Sequence, residues 1–103
     1  GASSVSKKML KRVHAQCDKL NDCSRLEDAI GVPESQEIKA IQAGICKINV
    51  DTDIRIAFTV AIRETILNNH HVYDPRAIIS PARDLICEMV KEKMKLFGCA
   101  GKE

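Results

Sequence analysis

The chain has 103 residues, of which 45% are hydrophobic and 3% aromatic, and its formal net charge is +2. This length allows one modest core, which must be aliphatic because aromatic side chains are so few. Acidic and basic residues are interspersed, which argues against a nucleic-acid-binding stripe and a polybasic membrane anchor. The longest apolar run is too short for a transmembrane helix. Five cysteines without a Cys-x-x-Cys pair favour reduced thiols in a cytoplasmic protein over a disulfide scaffold.

Apolar spacing predicts two helices in the first half of the chain. Residues 1–5 are small and polar, which is typical of a loop. A helix follows from Ser6, with apolar residues recurring at intervals of three and four. After the polar connector 21–31, Pro33 begins a second helix with glutamates in its first turn, and Gly44 ends it.

Two further helices are predicted in the second half. Residues 54–68 are apolar on nearly every helical face, so we expect this helix to be heavily buried. A polar linker follows over 68–75. Ser80 and Pro81 are typical of a helix cap and first helical position, and they predict a last helix over 80–97, stopped by Gly98.

Between the second and third helices, residues 45–50 (ICKINV) are predicted to form a strand. Alternation places the polar side chains on one face and the apolar ones, with Cys46, on the other, buried face. Strand, acidic turn and helix form the unit in which barrel enzymes place their catalytic residues, at the carboxyl end of the strand. Asn49 and Asp51 are therefore candidate site residues, although helix capping by Asp51 or Thr52 explains the same pattern.

A single strand leaves its backbone hydrogen-bonding groups without partners. The pattern therefore predicts a segment that is incomplete or that pairs with something else. If isolated, we expect it to be helix-rich.

The segment 44–53 (GICKINVDTD) resembles the last strand and loop of class II, zinc-dependent fructose-1,6-bisphosphate aldolases. Residues 1–5 (GASSV), 74–76 (DPR) and 95–102 (KLFGCAGK) resemble further segments of that family, in the same order and across nearly the whole chain. The family's catalytic domain is a (β/α)8 TIM barrel of about 250 residues or more. The resemblance therefore implies an α/β fold class, with residues 1–103 as the C-terminal part of one barrel domain.

The resemblance implies a place for each element in that barrel. Residues 1–5 would be the phosphate loop after strand seven, 45–50 the last strand, 51–55 the substrate loop and 80–97 the C-terminal helix. The implied reaction is the reversible cleavage of fructose 1,6-bisphosphate into dihydroxyacetone phosphate and glyceraldehyde 3-phosphate, in glycolysis and gluconeogenesis. The implied partners are the sugar bisphosphate, the rest of the barrel and a second copy, in a homodimer or larger oligomer.

The resemblance also implies a Zn²⁺ cofactor whose histidine ligands lie upstream of Gly1, and a monovalent cation near the phosphate loop. The catalytic acid/base carboxylates map upstream as well, so we expect this chain alone to be inactive. His70 and His71 have no partner at ligand spacing and are expected to be exposed, and His14 is an equally poor ligand candidate. A Schiff-base role for Lys47 belongs to the other aldolase class, so we expect a buried, paired structural lysine.

Family members place substrate contacts in both loops. Positions matching Gly1 and Ser3 bind the dihydroxyacetone-phosphate end, which suits the close backbone approach that glycine permits; a cloning remnant at 1–2 is the alternative. The position matching Asn49 steadies the enediolate, which is a catalytic, electrostatic role. The position matching Asp51 reads substrate hydroxyls.

Thr52, Arg55 and Arg76 complete the implied set of substrate-binding residues. Thr52 lies in the same loop as Asp51. In some family members, arginines matching the other two reach the second phosphate of the substrate from a neighbouring subunit, and guanidinium pairs strongly with phosphate. Local alternatives exist: Arg55 can pair with Asp51 four residues earlier, and Arg76 can be a solvated linker residue.

Two other functions compete with this interpretation. Tagatose-bisphosphate aldolases are related but typically lack the aspartate at position 51, so Asp51 favours a fructose-bisphosphate substrate. A non-catalytic helical module that associates through its exposed strand and apolar helix faces is the alternative from another class. Zinc dependence separates the two classes, because the module predicts none.

Overall fold

The computed structural model describes residues 7–20 and 32–102. Those residues form four helices: α1 (Lys7–Leu20), α2 (Glu34–Gln42), α3 (Thr52–Asn68) and α4 (Pro75–Leu96). Within these ranges, no helix is both long enough and apolar enough to span a bilayer. The predicted loop at 1–5 and the connector at 21–31 lie outside the described residues.

Helices α3 and α4 form an antiparallel pair, and α1 packs against α3. The short connection 69–74 turns the chain back, so the start of α3 lies beside the end of α4. The side chains buried between the helices are aliphatic, as the composition predicted: Met9, Val13, Ile56, Ala57, Val60, Ala61, Ala82 and Leu85. This core fixes the middle of α3 from two sides.

Two polar contacts hold α1 against the second half of α3. Arg12 makes a two-pronged ion pair with Glu64, with nitrogen–oxygen distances of 2.9 and 2.6 Å. The buried Gln16 amide donates to the backbone oxygen of Val60 at 2.7 Å. Each bond needs its partner at one position along the helix, so together they fix the register of α1 on α3.

Gly44 ends α2, as predicted. Its φ of +108° lies in the left-handed region that glycine tolerates. The amides of Gly44 and Ile45 donate back to the carbonyls of Ile41 and Ala40, which closes the helix.

Residues 45–50, the predicted strand, form neither helix nor strand. Cys46 and Lys47 are both exposed, so the expectations of a buried Cys46 and of a buried structural Lys47 are wrong for this chain. A strand needs a neighbour to pair its backbone groups. The part of the chain that the structure describes supplies no second strand beside this segment.

Helix α4 begins at Pro75 and not at Ser80, which corrects the predicted start. Asp74 is the N-cap, and its carboxylate accepts a hydrogen bond from the Arg76 backbone nitrogen at 2.9 Å. Pro75 takes the first helical position, where its missing N–H costs nothing. Pro81 therefore lies inside the helix.

The carboxyl end of α4 agrees with the prediction to within one residue. The helix ends at Leu96, and Gly98 follows with a φ of +77°. The amide of Cys99 donates to the carbonyl of Met94, which closes the last turn.

Helix α3 is buried on one side only, which corrects the expectation of heavy burial all round. Phe58 and Ile66 are 44% and 50% exposed. Among the described residues, α3 packs mainly on α1 and α4, and these cover a single stripe of its surface.

Candidate functional site

Three of the predicted site residues lie together at the amino-terminal end of α3. Asn49 and Asp51 are exposed, and Thr52, the first residue of the helix, is half-buried. The backbone N–H groups at this end carry partial positive charge, which favours negatively charged ligands such as phosphates. Two of the three polar side chains are therefore open to solvent where such a ligand would bind.

Asp51 pairs with Arg55 and does not cap the helix through its side chain. It occupies the N-cap position, but its carboxylate makes no capping hydrogen bond. Its Oδ1 accepts instead from Arg55 Nε at 2.9 Å, which confirms the local alternative for Arg55. The two side chains are 52% and 78% exposed. An exposed pair of this kind is worth only about 0.3–0.5 kcal/mol, so a ligand can displace the guanidinium from the carboxylate.

Arg76 lies in the first turn of α4 and not in a linker, which corrects the predicted position. Its guanidinium holds the Asp74 carboxylate with two contacts, of 3.0 and 3.3 Å. The Arg76 side chain is nevertheless 91% exposed. It therefore projects from the surface of the chain, where it is available to a ligand or to another subunit.

The structure keeps Arg76 apart from the other candidate residues. Asp51 and Arg55 lie at the start of α3, whereas Arg76 lies just beyond its end. The 17 residues of α3 span about 25 Å. The segment 49–55 is therefore one cluster, and Arg76 cannot contact the same small ligand within one chain.

The Asp74–Arg76 contact predicts a titration that can be measured. The Arg76 side chain, and then its backbone N–H, lower the pKa of Asp74 from its ordinary value. A carboxyl whose pKa is lowered by folding stabilises the fold above its unfolded pKa of about 3.9, and that contribution is lost as the pH falls through the lower, folded pKa. Protonation in that window is expected to loosen the first turn of α4.

An NMR titration of the Asp74 carboxyl checks this. We expect Arg76→Ala to raise the midpoint, but only in part, because the backbone N–H remains. An unchanged midpoint in Arg76→Ala would show that the guanidinium does not act on Asp74.

Within the described ranges, no three His, Cys, Asp or Glu side chains are grouped so that they could hold a metal ion. His14, His70 and His71 are exposed, and Nε2 of His70 lies 3.1 Å from the carbonyl oxygen of Leu67. The described residues therefore do not provide a donor set for zinc. Gly1 and Ser3, the predicted phosphate-binding residues, lie outside the described residues.

A buried ion pair that the sequence did not predict lies close to this cluster. Oδ2 of Asp53 lies 2.9 Å from Nζ of Lys93, and the side chains are 2% and 8% exposed. A signal was present in the sequence, since Lys93 lies on the same helical face as Leu85 and Met89. A lysine within an apolar stripe predicts a buried partner.

The family model for class II fructose-bisphosphate aldolase matches residues 1–102. The fructose-bisphosphate aldolase of Thermus caldophilus is 40% identical over 102 residues, which are 99% of this chain and 32% of that protein. That of Giardia intestinalis is 42% identical over 101 residues, 98% of this chain and 29% of that protein. That of Geobacillus stearothermophilus is 44% identical over 92 residues, 85% of this chain and 32% of that protein.

The chain therefore belongs to the class II fructose-bisphosphate aldolase family. This confirms the resemblance drawn from the segment 44–53. The chain spans about a third of the length of the curated relatives it matches. Four helices without a paired strand, among the described residues, are consistent with a fragment of such an enzyme.

Proposed function

We propose that this chain is the C-terminal part of a cytoplasmic class II aldolase that reversibly cleaves fructose 1,6-bisphosphate into dihydroxyacetone phosphate and glyceraldehyde 3-phosphate. One observation carries the proposal: relatives named fructose-bisphosphate aldolase match 85–99% of the chain. In the proposed barrel, residues 45–50 are the last strand, paired with neighbours from the rest of the enzyme. That places the segment 49–55 at the carboxyl end of the strand, where barrel enzymes carry their sites.

Each side chain of that segment has a role suited to its chemistry. The Asn49 amide is proposed to donate to the substrate oxygen that becomes negatively charged, which is electrostatic stabilisation. The Asp51 carboxylate accepts hydrogen bonds from sugar hydroxyls, and Thr52 supports the same loop. Arg55, whose Nε lies 2.9 Å from the Asp51 carboxylate, is proposed to contribute to substrate binding in the same loop. Asp51 also favours fructose bisphosphate over tagatose bisphosphate as the substrate.

The remaining components are proposed to come from elsewhere. Gly1 and Ser3 would bind the phosphate of the dihydroxyacetone end, with a monovalent cation nearby. In such an enzyme, zinc would polarise a carbonyl as a Lewis acid. The described residues do not group into a donor set for it, and we assign its ligands to the rest of the enzyme.

Arg76 is proposed to bind the second phosphate of a substrate held by a neighbouring subunit. Two observations support this role: its side chain is 91% exposed, and α3 separates it from Asp51 by about 25 Å. A homodimer would then be part of the active site.

Zinc-dependent cleavage by the complete protein tests the proposal. We expect fructose 1,6-bisphosphate cleavage in a coupled assay, its loss after chelation and its return when Zn²⁺ is added back. Cleavage that survives complete removal of metal would contradict a class II mechanism. A protein with no cleavage at any zinc concentration would support the non-catalytic module instead.

A further inference from the structure

A buried ion pair joins the first turn of α3 to the last turn of α4. Asp53 Oδ2 and Lys93 Nζ are 2.9 Å apart, and the side chains are 2% and 8% exposed. The other charge pairs described in this chain, such as Asp51–Arg55, are far more open to solvent. Burying two charges is costly, and apolar replacements are often as stable. The deep burial of this pair therefore indicates that it positions the helices that it joins and does not only stabilise the fold.

The pair acts on the end of α3 that carries the candidate site. Asp53 is two residues after Asp51, the N-cap residue, and lies in the first turn of α3. The first core residue of α3 is Ile56, so the aliphatic core begins only after this turn. Asp53 also bears its negative charge at a helix start and Lys93 its positive charge near a helix end, which both helix dipoles favour. The ion pair is thus a fixed link between the loop and the neighbouring helix.

We propose that Lys93 is a positioning residue for the substrate loop. Its buried ammonium lies 2.9 Å from Asp53 Oδ2 and attracts it electrostatically, and through the first turn of α3 this ion pair sets the position of residues 49–52. The part of this inference that concerns catalysis rests on the proposed function, whereas the effect on loop order does not. A misplacement of about 1 Å at a binding site can lower a rate by about 100-fold, so a link of this kind affects activity without contacting substrate.

Three variants of the complete enzyme test the proposal. Lys93→Met removes the ammonium and keeps much of the side-chain volume. Lys93→Arg keeps the charge, and a groove of about 400 Å³ beside Asp53 and Met89 offers room for the larger group. Arg12→Met is the matched control, because it breaks the Arg12–Glu64 pair at the other end of α3.

Two readouts separate positioning from simple stabilisation. We expect Lys93→Met to lower kcat/KM for fructose 1,6-bisphosphate by about tenfold and to speed amide hydrogen exchange in the first turn of α3, where the Arg55 amide donates to the Asp51 carbonyl. Lys93→Arg should keep most of the catalytic efficiency and most of the protection from amide exchange. Arg12→Met should leave kcat/KM within about twofold of the unaltered enzyme, even where it lowers the melting temperature, since distant sites act independently.

If Lys93→Met does not fold, the double variant Asp53→Asn, Lys93→Met replaces it, because it does not leave the Asp53 carboxylate buried without its cation. It should show the same loss and the same faster exchange. A Lys93 variant that melts earlier but keeps both kcat/KM and the exchange rate of the Arg55 amide would overturn the proposal. An unaltered enzyme without activity would overturn the proposed function alone, and the exchange data would still decide whether Lys93 orders the loop.

Discussion

Replacing Asp51 with alanine in the complete enzyme is expected to lower kcat/KM for fructose 1,6-bisphosphate by about 10–100-fold. The carboxylate is exposed and lies 2.9 Å from Arg55 Nε, and in the proposed site it accepts hydrogen bonds from sugar hydroxyls. Hydrogen bonds to a charged group are worth about 1.5–3 kcal/mol, which corresponds to that loss. Cleavage of tagatose 1,6-bisphosphate should fall much less, because the two sugars differ in the configuration of one hydroxyl group and Asp51 is proposed to recognise the fructose configuration.

Asp84→Ala is the matched control for this variant. Asp84 is also an exposed aspartate paired with a neighbouring arginine, Arg83, but it lies on α4 outside the candidate site. It should leave the kinetics of both sugars unchanged. Equal losses for the two sugars in Asp51→Ala would remove Asp51 from substrate discrimination.

Replacing Arg76 with alanine is expected to weaken binding of the bisphosphate by about 10–100-fold without changing the oligomeric state of the protein. A guanidinium–phosphate pair is a strong, charge-assisted contact, and its loss appears mainly in KM. Helix α4 should keep its start, since Asp74 caps it through the backbone nitrogen of residue 76. Arg83→Ala, on the same helix and also exposed, is the control that should leave KM unchanged.

If the proposed homodimer forms, dimers of mixed subunits test whether Arg76 acts across the subunit interface. If it does, Asp51→Ala and Arg76→Ala subunits together form one site in which both residues are intact. Mixing the two weak variants should therefore restore part of the activity. Mixed dimers no more active than either parent would show that Arg76 does not serve the neighbouring subunit's site.

Where a local sequence signal was unambiguous, it predicted the end of the helix correctly. Gly44 and Gly98 both take a positive φ after a helix, as glycine at a helix end predicts. The start of α4 was missed because Asp74-Pro75 and Ser80-Pro81 are both cap-and-proline pairs. The earlier pair begins the helix, and an internal proline at 81 is accepted because the apolar face continues through Ala82 and Leu85.

Burial of the segment 45–50 could not be read from its own residues. An alternating pattern indicates that a strand has a packed face, but pairing and burial depend on neighbours that local sequence does not contain. Three exposed side chains illustrate this: Cys46, Lys47 and, on α3, Phe58. Only other segments of the proposed barrel could bury them.

The candidate site was only partly predictable for a related reason. The Asp51–Arg55 contact follows from a spacing of four residues and was considered from sequence. The Asp53–Lys93 pair joins residues far apart in the chain, so no spacing rule identifies it. The sequence signal for this pair is the position of Lys93 within an apolar stripe.

A crystal structure of the complete protein with a bound, uncleaved bisphosphate sugar tests the central claim most directly. We expect residues 45–50 to be paired as a strand, and the Asn49 amide and Asp51 carboxylate to lie within about 2.6–3.2 Å of substrate oxygens. Arg76 of the other subunit should contact the second phosphate. A sugar bound away from the segment 49–55 would contradict the assignment of this chain's substrate loop.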